Sequence, residues 1–491
     1  MSDLSTDLRA GALEFPLLLA NDAEPVGALA VHSPYDQSLL GTAATAGAEH
    51  ADQALATAYA LFRNRDAWLP VHERLAILER LAVAMEAAAD ELALLAASEG
   101  GKPLRDSAVE VTRAIDGVRL CTEALRSPPG SVIPVGTTAA AAGRTAFTTR
   151  EPIGVVVAVS AFNHPLNLIV HQVGPAVAAG CPVIVKPAED TPFSCLRLVQ
   201  LLHEAGLPRG WCQALVADNL DTAERLVTDR RVAFFSFIGS ARVGWTLRSK
   251  LAPGTRCALE HGGAAPVLLA EPFDRDLALA SILKGGFYHA GQVCVSVQRV
   301  FAPRSAARGF AKALAAAAEG LEVGNPTLEA TEVGPLIRPA ELERVAEWVD
   351  EAVAGGAQLL CGGRALSNSC YAPTVLLDPP EDCRVSRDEI FGPVVCVYAY
   401  DELDAAVEQA NSLPTAFQAA VFTHDVEHGM YLYQRLDASA VMLNDHTAFR
   451  DDVMPFAGLR ESGLGVGGIP YTFEDMQVDK LLVLRSGQPG C

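Results

Sequence analysis

Three short runs limit the fold more than anything else in this chain. Gly154-Val-Val-Val-Ala-Val, Pro182-Val-Ile-Val and Ala233-Phe-Phe-Ser-Phe-Ile are almost wholly apolar and do not alternate with polar residues. A strand wetted on one face alternates, whereas a strand without alternation is covered on both faces, as in a parallel sheet flanked by helices. Helical spacing follows each run, at His171 to Ala179, Phe193 to Ala205 and Ala241 to Leu251. The fold class is therefore α/β, with strand and helix taken in turn.

A second alternating block runs from Val267 to about Ala440. It predicts helices at Asp276 to Phe287, Ser305 to Glu319, Pro339 to Ala354 and Leu403 to Ala410, with strands at Val300-Phe-Ala and Val394-Val-Cys-Val-Tyr. Ahead of both blocks, residues 1 to 45 read as irregular with short strand-like pieces such as Ala28-Leu-Ala-Val-His32. Apolar spacing from His50 to Ala97 predicts two or three helices stopped by Gly100-Gly101, and another helix spans Ser107 to Leu125. Pro128-Pro129-Gly130 breaks that helix. Two β-like segments follow, Ser131 to Val135 and Arg144 to Arg150, which read either as an ordinary surface hairpin or as an arm for self-association. Val478 to Arg485 is strand-like and distant from obvious partners, so it is expected to complete a sheet in a neighbouring subunit.

At 491 residues the chain is too long for one core and implies roughly three domains. Its net charge of -21 repels phosphate backbones and anionic lipid surfaces, which argues against nucleic-acid and membrane partners. A bound nucleotide stays compatible with that charge, because helix N-termini and single lysines act locally. The start Met-Ser-Asp-Leu-Ser-Thr-Asp lacks the features of a signal peptide, and a cytoplasmic location is expected. Eleven cysteines, without a Cys-x-x-Cys pair or a histidine cluster, predict neither a disulfide framework nor a metal site.

Five stretches carry chemistry. In Gly291-Gln-Val-Cys294-Val, an unpaired cysteine behind a small residue that lets the backbone approach a bound molecule reads as a nucleophile or, equally, as a core residue. Ser160-Ala-Phe-Asn163-His-Pro sets an amide after a buried strand, where it can donate to a developing oxyanion. Val183-Ile-Val-Lys186-Pro-Ala-Glu189 offers a lysine and a carboxylate suited to a ribose. Phe237-Ile-Gly239-Ser240-Ala-Arg-Val243-Gly leads a strand into a helix whose free N–H groups suit a phosphate, although it is not the Gly-x-Gly-x-x-Gly fingerprint. Leu259-Glu260-His-Gly262-Gly sets a carboxylate beside two glycines.

Taken in order with Glu389-Ile-Phe391-Gly-Pro and Pro455-Phe456 followed by Ser462-Gly463, these motifs resemble the aldehyde dehydrogenase superfamily from about residue 25 to the C-terminus. The resemblance implies a Rossmann-like cofactor domain over 1–128 and 152–260 with 441–475 returning to it. It further implies an α/β catalytic domain over 261–440 and a small β oligomerisation arm over 129–151 and 476–491, serving a homodimer or homotetramer. Cys294 would be the nucleophile, Asn163 with the Cys294 N–H the oxyanion donors, and Glu260 the base that activates water. The reaction implied is oxidation of an aldehyde to a carboxylic acid through a thiohemiacetal and a thioester. Lys186 and Glu189 would take the adenosine ribose and Glu389 the nicotinamide ribose, while Phe162, Phe237, Gly239, Ser240, Val243, Gly262 and Phe391 complete the cofactor site. A carboxylate at Glu189 accepts from a 2'-hydroxyl and repels a 2'-phosphate, so NAD is expected ahead of NADP.

The sequence also departs from the family pattern. His261 replaces an aliphatic residue, and it either alters Glu260 or simply packs and hydrogen-bonds nearby. Ala161-Phe162 stand for Pro-Trp, Ile238 for a hydroxyl residue, Ala457 for glycine and Arg460 for lysine. His164 and Arg450 resemble a branch that takes short hydroxylated or anionic aldehydes such as lactaldehyde and phosphonoacetaldehyde; the alternative for Arg450 is pairing with Asp445, Asp451 or Asp452. The phosphonate-accepting member carries an arginine where this chain has Val293. With Val295, Val293 therefore reads as an uncharged wall for a small, hydroxylated or weakly anionic aldehyde. Competing readings are a pyrroline-carboxylate-type glutamate semialdehyde dehydrogenase, a coenzyme A-acylating enzyme, disfavoured by Glu260, and a non-catalytic relative.

Overall fold

The computed structural model describes residue 8, residues 10–127 and residues 130–485. Pro128 and Pro129, the opening heptapeptide and the last six residues of the expected arm lie outside them. The three apolar runs become the strands Val155–Val159, Val183–Lys186 and Val232–Ile238 of one six-stranded sheet. Its order across the sheet is Gly463–Leu464, Arg256–Glu260, Val232–Ile238, Val155–Val159, Val183–Lys186 and Cys212–Ala214. All neighbours are parallel except the short Gly463–Leu464 pair. The chain steps outward from Val155–Val159 in one direction and then from Val232–Ile238 in the other. At that reversal a crevice opens at the carboxyl ends of the strands, and ligands bind there.

The second block forms a seven-stranded sheet ordered Gln358–Cys361, Thr374–Leu377, Val394–Tyr400, Val297–Pro303, Ala265–Leu269, Gln418–Phe422 and Ala440–Leu443. Only its first pair is antiparallel. Each sheet has its own core. Phe193, Phe234 and Met85 are fully enclosed in the first, and Phe287, Phe301 and Phe422 in the second. Among the described residues no helix is long and apolar enough to cross a membrane.

Local chemistry sets the helix limits. The helix Pro339–Ala354 begins on proline, whose fixed φ suits a first turn, and Arg275–Phe287 begins where the Asp274 side chain accepts from Asp276 N and Leu277 N, each at 3.0 Å. Ala89–Gly100 ends on Gly101 at φ +74, the stop expected from the sequence.

One expectation changes and another gains an own-chain partner. The stretch before residue 45 is more regular than its composition predicts, because Leu39–Ala46 is an eight-residue strand paired with Gly27–His32 and with Leu13–Phe15. The terminal strand Gln477–Arg485 finds its partner within its own chain, pairing antiparallel with Arg144–Pro152 over nine residues, and Val132–Ile133 completes a three-stranded sheet. Leu481 to Leu484 are all exposed on it.

Arg299 closes the second sheet at the start of the strand Val297–Pro303. It is buried, and its guanidinium donates to Ala264 O at 3.0 Å, Gln409 O at 3.1 Å and Ala410 O at 2.9 Å. The last two carbonyls close the helix Leu403–Asn411, where a cation also meets the negative end of the helix dipole. Arg299→Met takes the guanidinium donors away from the buried carbonyls of Ala264 and Ala410, while Gln409 O keeps the Ser412 hydroxyl at 2.8 Å. It is expected to cost about 3 kcal/mol or more, read as a lower urea midpoint for loss of the second sheet.

Candidate active site

The carboxyl ends of the first sheet face the amino ends of the second across one cavity of about 1380 Å³. Asn163 follows Val155–Val159, Lys186 ends Val183–Lys186, Gly239 follows Val232–Ile238 and Glu260 ends Arg256–Glu260. From the other side, Cys294 lies just before Val297–Pro303 and Glu389 just before Val394–Tyr400. Every residue given a catalytic, cofactor or substrate role in the sequence lines this cavity, including Phe162, His164, Glu189, Phe237, Ser240, Val243, Gly262, Val293, Val295, Phe391 and Arg450.

The cysteine loop is held rigidly. Gln292 accepts from Ile337 N at 2.9 Å through its side-chain oxygen and donates to Pro335 O at 3.2 Å, while its carbonyl receives the Asn163 Nδ2 at 3.0 Å. The last bond leaves the second amide hydrogen of Asn163 free, and the Cys294 N–H donates to no other backbone group. Gly291, at φ +70, is required for a different reason from the one the sequence suggests: a Cβ there would lie 2.1 Å from the Gly392 carbonyl oxygen. The close approach is between the cysteine loop and the loop after Glu389, not between backbone and ligand. His289, Ala290 and Phe391 are all held in left-handed backbone, a conformation that costs of order 1 kcal/mol or more each and is kept only where surroundings enforce it.

Cys294 is packed with Val293, Val295, Phe417 and Phe456 yet keeps part of its surface open to the cavity. Burial pushes its thiol up to about 12; Glu389 and Glu260 add to the rise and Arg450 opposes it. Burial also raises Glu260, whose carboxylate lies against Gly467 so closely that a Cβ there would meet its Oε1 at 2.1 Å. Glu389 is pushed up to about 8 by burial, and its Oε1 has no partner. His261 settles the question posed by its position. Its Nδ1 bonds Gly239 O at 2.8 Å and its ring packs edge-on against Phe237 and Trp245, so it braces the Gly239 turn.

At the other end of the cavity, Asp452 gathers the polar groups. It accepts from Arg113 Nε at 3.1 Å and Nη2 at 2.6 Å and from His171 Nε2 at 2.8 Å, and the Arg450 Nε lies 3.7 Å away. Burial raises the Asp452 carboxyl, but His171 and Arg113 together hold it below the usual carboxylate range. Arg450 also stacks over Phe456, 3.5 Å from the ring centroid, and remains part of the cavity wall. Of the two sequence readings, the pairing of Arg450 is with Asp452, and the side chain still lines the cavity. Arg113 and His171 escaped the sequence reading. A signal existed in Asn167 and His171, one turn apart on a mostly apolar buried helix, Asn167–Ala179.

Residues 21–481 match the description of the aldehyde dehydrogenase family. The chain belongs to that family. A 3-sulfolactaldehyde dehydrogenase from Priestia aryabhattai is 36% identical over 455 residues, covering 93% of this chain and 94% of that protein. The crystal structure of aldehyde dehydrogenase 21 from Physcomitrella patens, in complex with the reaction product succinate, superposes with a TM-score of 0.92 at 33% identity, over 97% of this chain and 99% of that one. A glyceraldehyde-3-phosphate dehydrogenase from Methanocaldococcus jannaschii, complexed with NADP, superposes with a TM-score of 0.88 at 32% identity, over 95% of this chain and 100% of that one. The family's fold is that of the two facing sheets. Its activity, NAD(P)-dependent oxidation of small aldehydes, is the activity of this chain.

The opposed charges around Cys294 generate a test in the enzyme free of nucleotide. Alkylation by iodoacetamide needs the thiolate, so the inactivation rate should climb from about pH 7 to about pH 10 without a plateau. Arg450→Met removes a charge that lowers the thiol and should slow alkylation at any fixed pH. Glu260→Gln removes one that raises it and should speed alkylation.

Proposed function

We propose that the chain oxidises a small aldehyde whose tail carries one negative charge or a hydroxyl group, with Cys294, Glu260 and Asn163 as the reacting set. The observation that carries this reading is the pair of guanidiniums, Arg113 and Arg450, sharing the single carboxylate of Asp452 at the end of the cavity away from the cofactor residues. Two positive groups and one negative leave one net positive charge, which matches a monoanion and undercompensates a dianion. Val293 and Val295 add no charge to the cavity wall.

Cys294 Sγ adds to the carbonyl carbon, and its proton passes to the Glu260 carboxylate. The oxyanion that forms accepts from the free Asn163 amide hydrogen and from the Cys294 N–H. A bound nicotinamide, when oxidised, supplies the acceptor for the hydride that the carbon loses, together with a positive ring. The product on the enzyme is a thioester at Cys294. Once Glu260 has given up that first proton to solvent, it takes a proton from the attacking water, the Cys294 thiolate leaves, and the carboxylic acid is released.

The cofactor residues fit a dinucleotide. The unpartnered Glu389 Oε1 suits a ribose hydroxyl, and Phe162 and Phe391 meet edge to face at 5.8 Å between ring centroids beside it. The helix Ala241–Ser249 begins at Ser240 with no side-chain cap, which leaves its first N–H groups for a phosphate beside Gly239, with Phe237, Val243 and Gly262 lining the approach. Lys186 and Glu189 are ion-paired at the far end and suit the adenosine ribose. The Glu189 carboxylate supports NAD ahead of NADP. Glu189→Gln is expected to raise the NADP/NAD ratio of kcat/KM by about tenfold, since Lys186 is then released toward a 2'-phosphate. An unchanged ratio removes Glu189 from cofactor choice.

We assign 129–151 and 476–491 as an arm on which two or four copies associate, supported by the exposed Val132, Ile133 and Leu481 to Leu484. The remaining division, 1–128 and 152–260 with 441–475 against 261–440, is supported by the two sheets except at 441–443, which lie in the strand Ala440–Leu443 of the second sheet.

The reading is tested with a panel of aldehydes, with and without coenzyme A, in which Arg113→Met and Arg450→Met are compared with the parent. Each should raise KM for an aldehyde bearing a carboxylate or sulfonate by roughly tenfold to a hundredfold and change KM for propanal by less than about threefold. Equal effects on both aldehydes reject the anionic subsite, and turnover that depends on coenzyme A rejects hydrolysis through Glu260.

A further inference from the structure

Behind the Asn163 loop lies an ion pair that the reaction does not use. Lys102 is wholly enclosed, and its ammonium pairs with the Glu110 carboxylate, itself 1% exposed. The second oxygen of Glu110 accepts from the backbone N–H groups of Leu166 at 2.9 Å and Asn167 at 3.0 Å, which fixes the first turn of the helix that follows His164. The same ammonium reaches past Glu110 to His164, with Nζ 2.7 Å from Nδ1. An ammonium has only hydrogens to give. Nδ1 of His164 is therefore an acceptor, and the ring proton sits on Nε2.

That second nitrogen is free. Among the described residues Nε2 of His164 has no hydrogen-bond partner, and unlike the two sealed ring nitrogens of His289 it is not shut away from the cavity that His164 lines. His289 and Tyr288 face the His164 ring at 6.3 and 6.2 Å between centroids, and among the described residues neither hydrogen-bonds to it. Burial, and then the neighbouring Lys102 charge, hold the imidazole neutral.

We infer that the enclosed Lys102–Glu110 pair locks His164 as the Nε2–H tautomer, so that the substrate pocket offers a neutral donor to an oxygen on the carbon beside the reacting carbonyl. The substrate class is a 2-hydroxyaldehyde, bound through its hydroxyl oxygen as acceptor. Lys102 and Glu110 are positioning residues. This deepens the proposed reading of the same cavity and rests on it. It also explains why a histidine adjoins Asn163 where a cation would crowd Arg113 and Arg450.

The test reads the proton and the specificity separately. Enzyme with nitrogen-15 histidine, with His164 assigned by its loss in His164→Gln, should show Nδ1 unprotonated and Nε2 protonated. In Lys102→Met the Glu110 carboxylate, 3.8 Å from Nδ1, becomes the nearest acceptor, and the proton should move to Nδ1. The ratio of kcat/KM for lactaldehyde over propanal, which differ only in the 2-hydroxyl, should fall about tenfold in His164→Phe. It should be largely kept in His164→Gln, whose amide can accept from Lys102 and still donate to substrate. A proton on Nδ1 in the parent, or a ratio unmoved by His164→Phe, overturns the inference. If Lys102→Met does not fold, the parent spectrum and the two His164 variants decide. Oxidation of propanal with an unchanged ratio sinks the inference alone, whereas a parent that oxidises neither aldehyde sinks the reading beneath it as well.

Discussion

One hydrogen bond joins the two halves of the site, from Asn163 Nδ2 to the carbonyl of Gln292. Asn163 belongs to the carboxyl end of the first sheet and Gln292 to the loop that enters the second, 129 residues further along. Everything that must meet the substrate is placed relative to this bond. The Gln292 side chain ties the same loop to Pro335 and Ile337, and the contact of Gly291 with Gly392 ties it to the loop carrying Glu389. The cysteine loop is thus braced on three sides, and the strained backbone at His289, Ala290 and Phe391 is held by that bracing.

The parts legible in the sequence are those whose cause is local. A strand covered on both faces is written in its own residues, and Val155–Val159 and Val183–Lys186 emerge where the apolar runs lie. Pro339–Ala354 matches its expected limits because proline and the residues around it fix both ends. Leu39–Ala46 was not legible, since Leu-Leu-Gly-Thr-Ala-Ala-Thr-Ala has little intrinsic strand preference and becomes a strand by lying between two partners. The own-chain partner of Gln477–Arg485 was hidden for a related reason. More than three hundred residues separate it from Arg144–Pro152, and no local pattern encodes which edge is open.

The site divides the same way. The cavity collects every residue given a catalytic, cofactor or substrate role from the ordered motifs, because most of them stand at strand ends or in the loops beside them, where turn chemistry marks them. Arg113, His171 and Asp452 carry no such mark. Arg113 looks like one more polar residue on the amphipathic helix Leu104–Arg126, and only the packing of that helix against Asn167–Ala179 turns it inward. Gly291 shows the converse case. Its need for a small residue was visible, but whether backbone or ligand fills the space depends on a loop a hundred residues away.

The charges of the pocket now form a consistent set. Cys294 and Glu260 are both raised by burial, so neither gains from further negative charge nearby, and Arg450 is the cation that eases the thiol. Arg450 can do this only while its own charge is moderated, and Asp452 supplies that moderation for Arg450 and Arg113 together. A third cation at His164 would upset this balance by repelling both guanidiniums across a poorly solvated cavity. Lys102 resolves the conflict because its charge is offset within the protein by Glu110 before it reaches the pocket. What reaches His164 is a direction for a hydrogen bond, together with a charge that helps burial keep the ring neutral. A buried ion pair of this kind contributes little to stability compared with an apolar replacement, so its value here lies in the tautomer it selects.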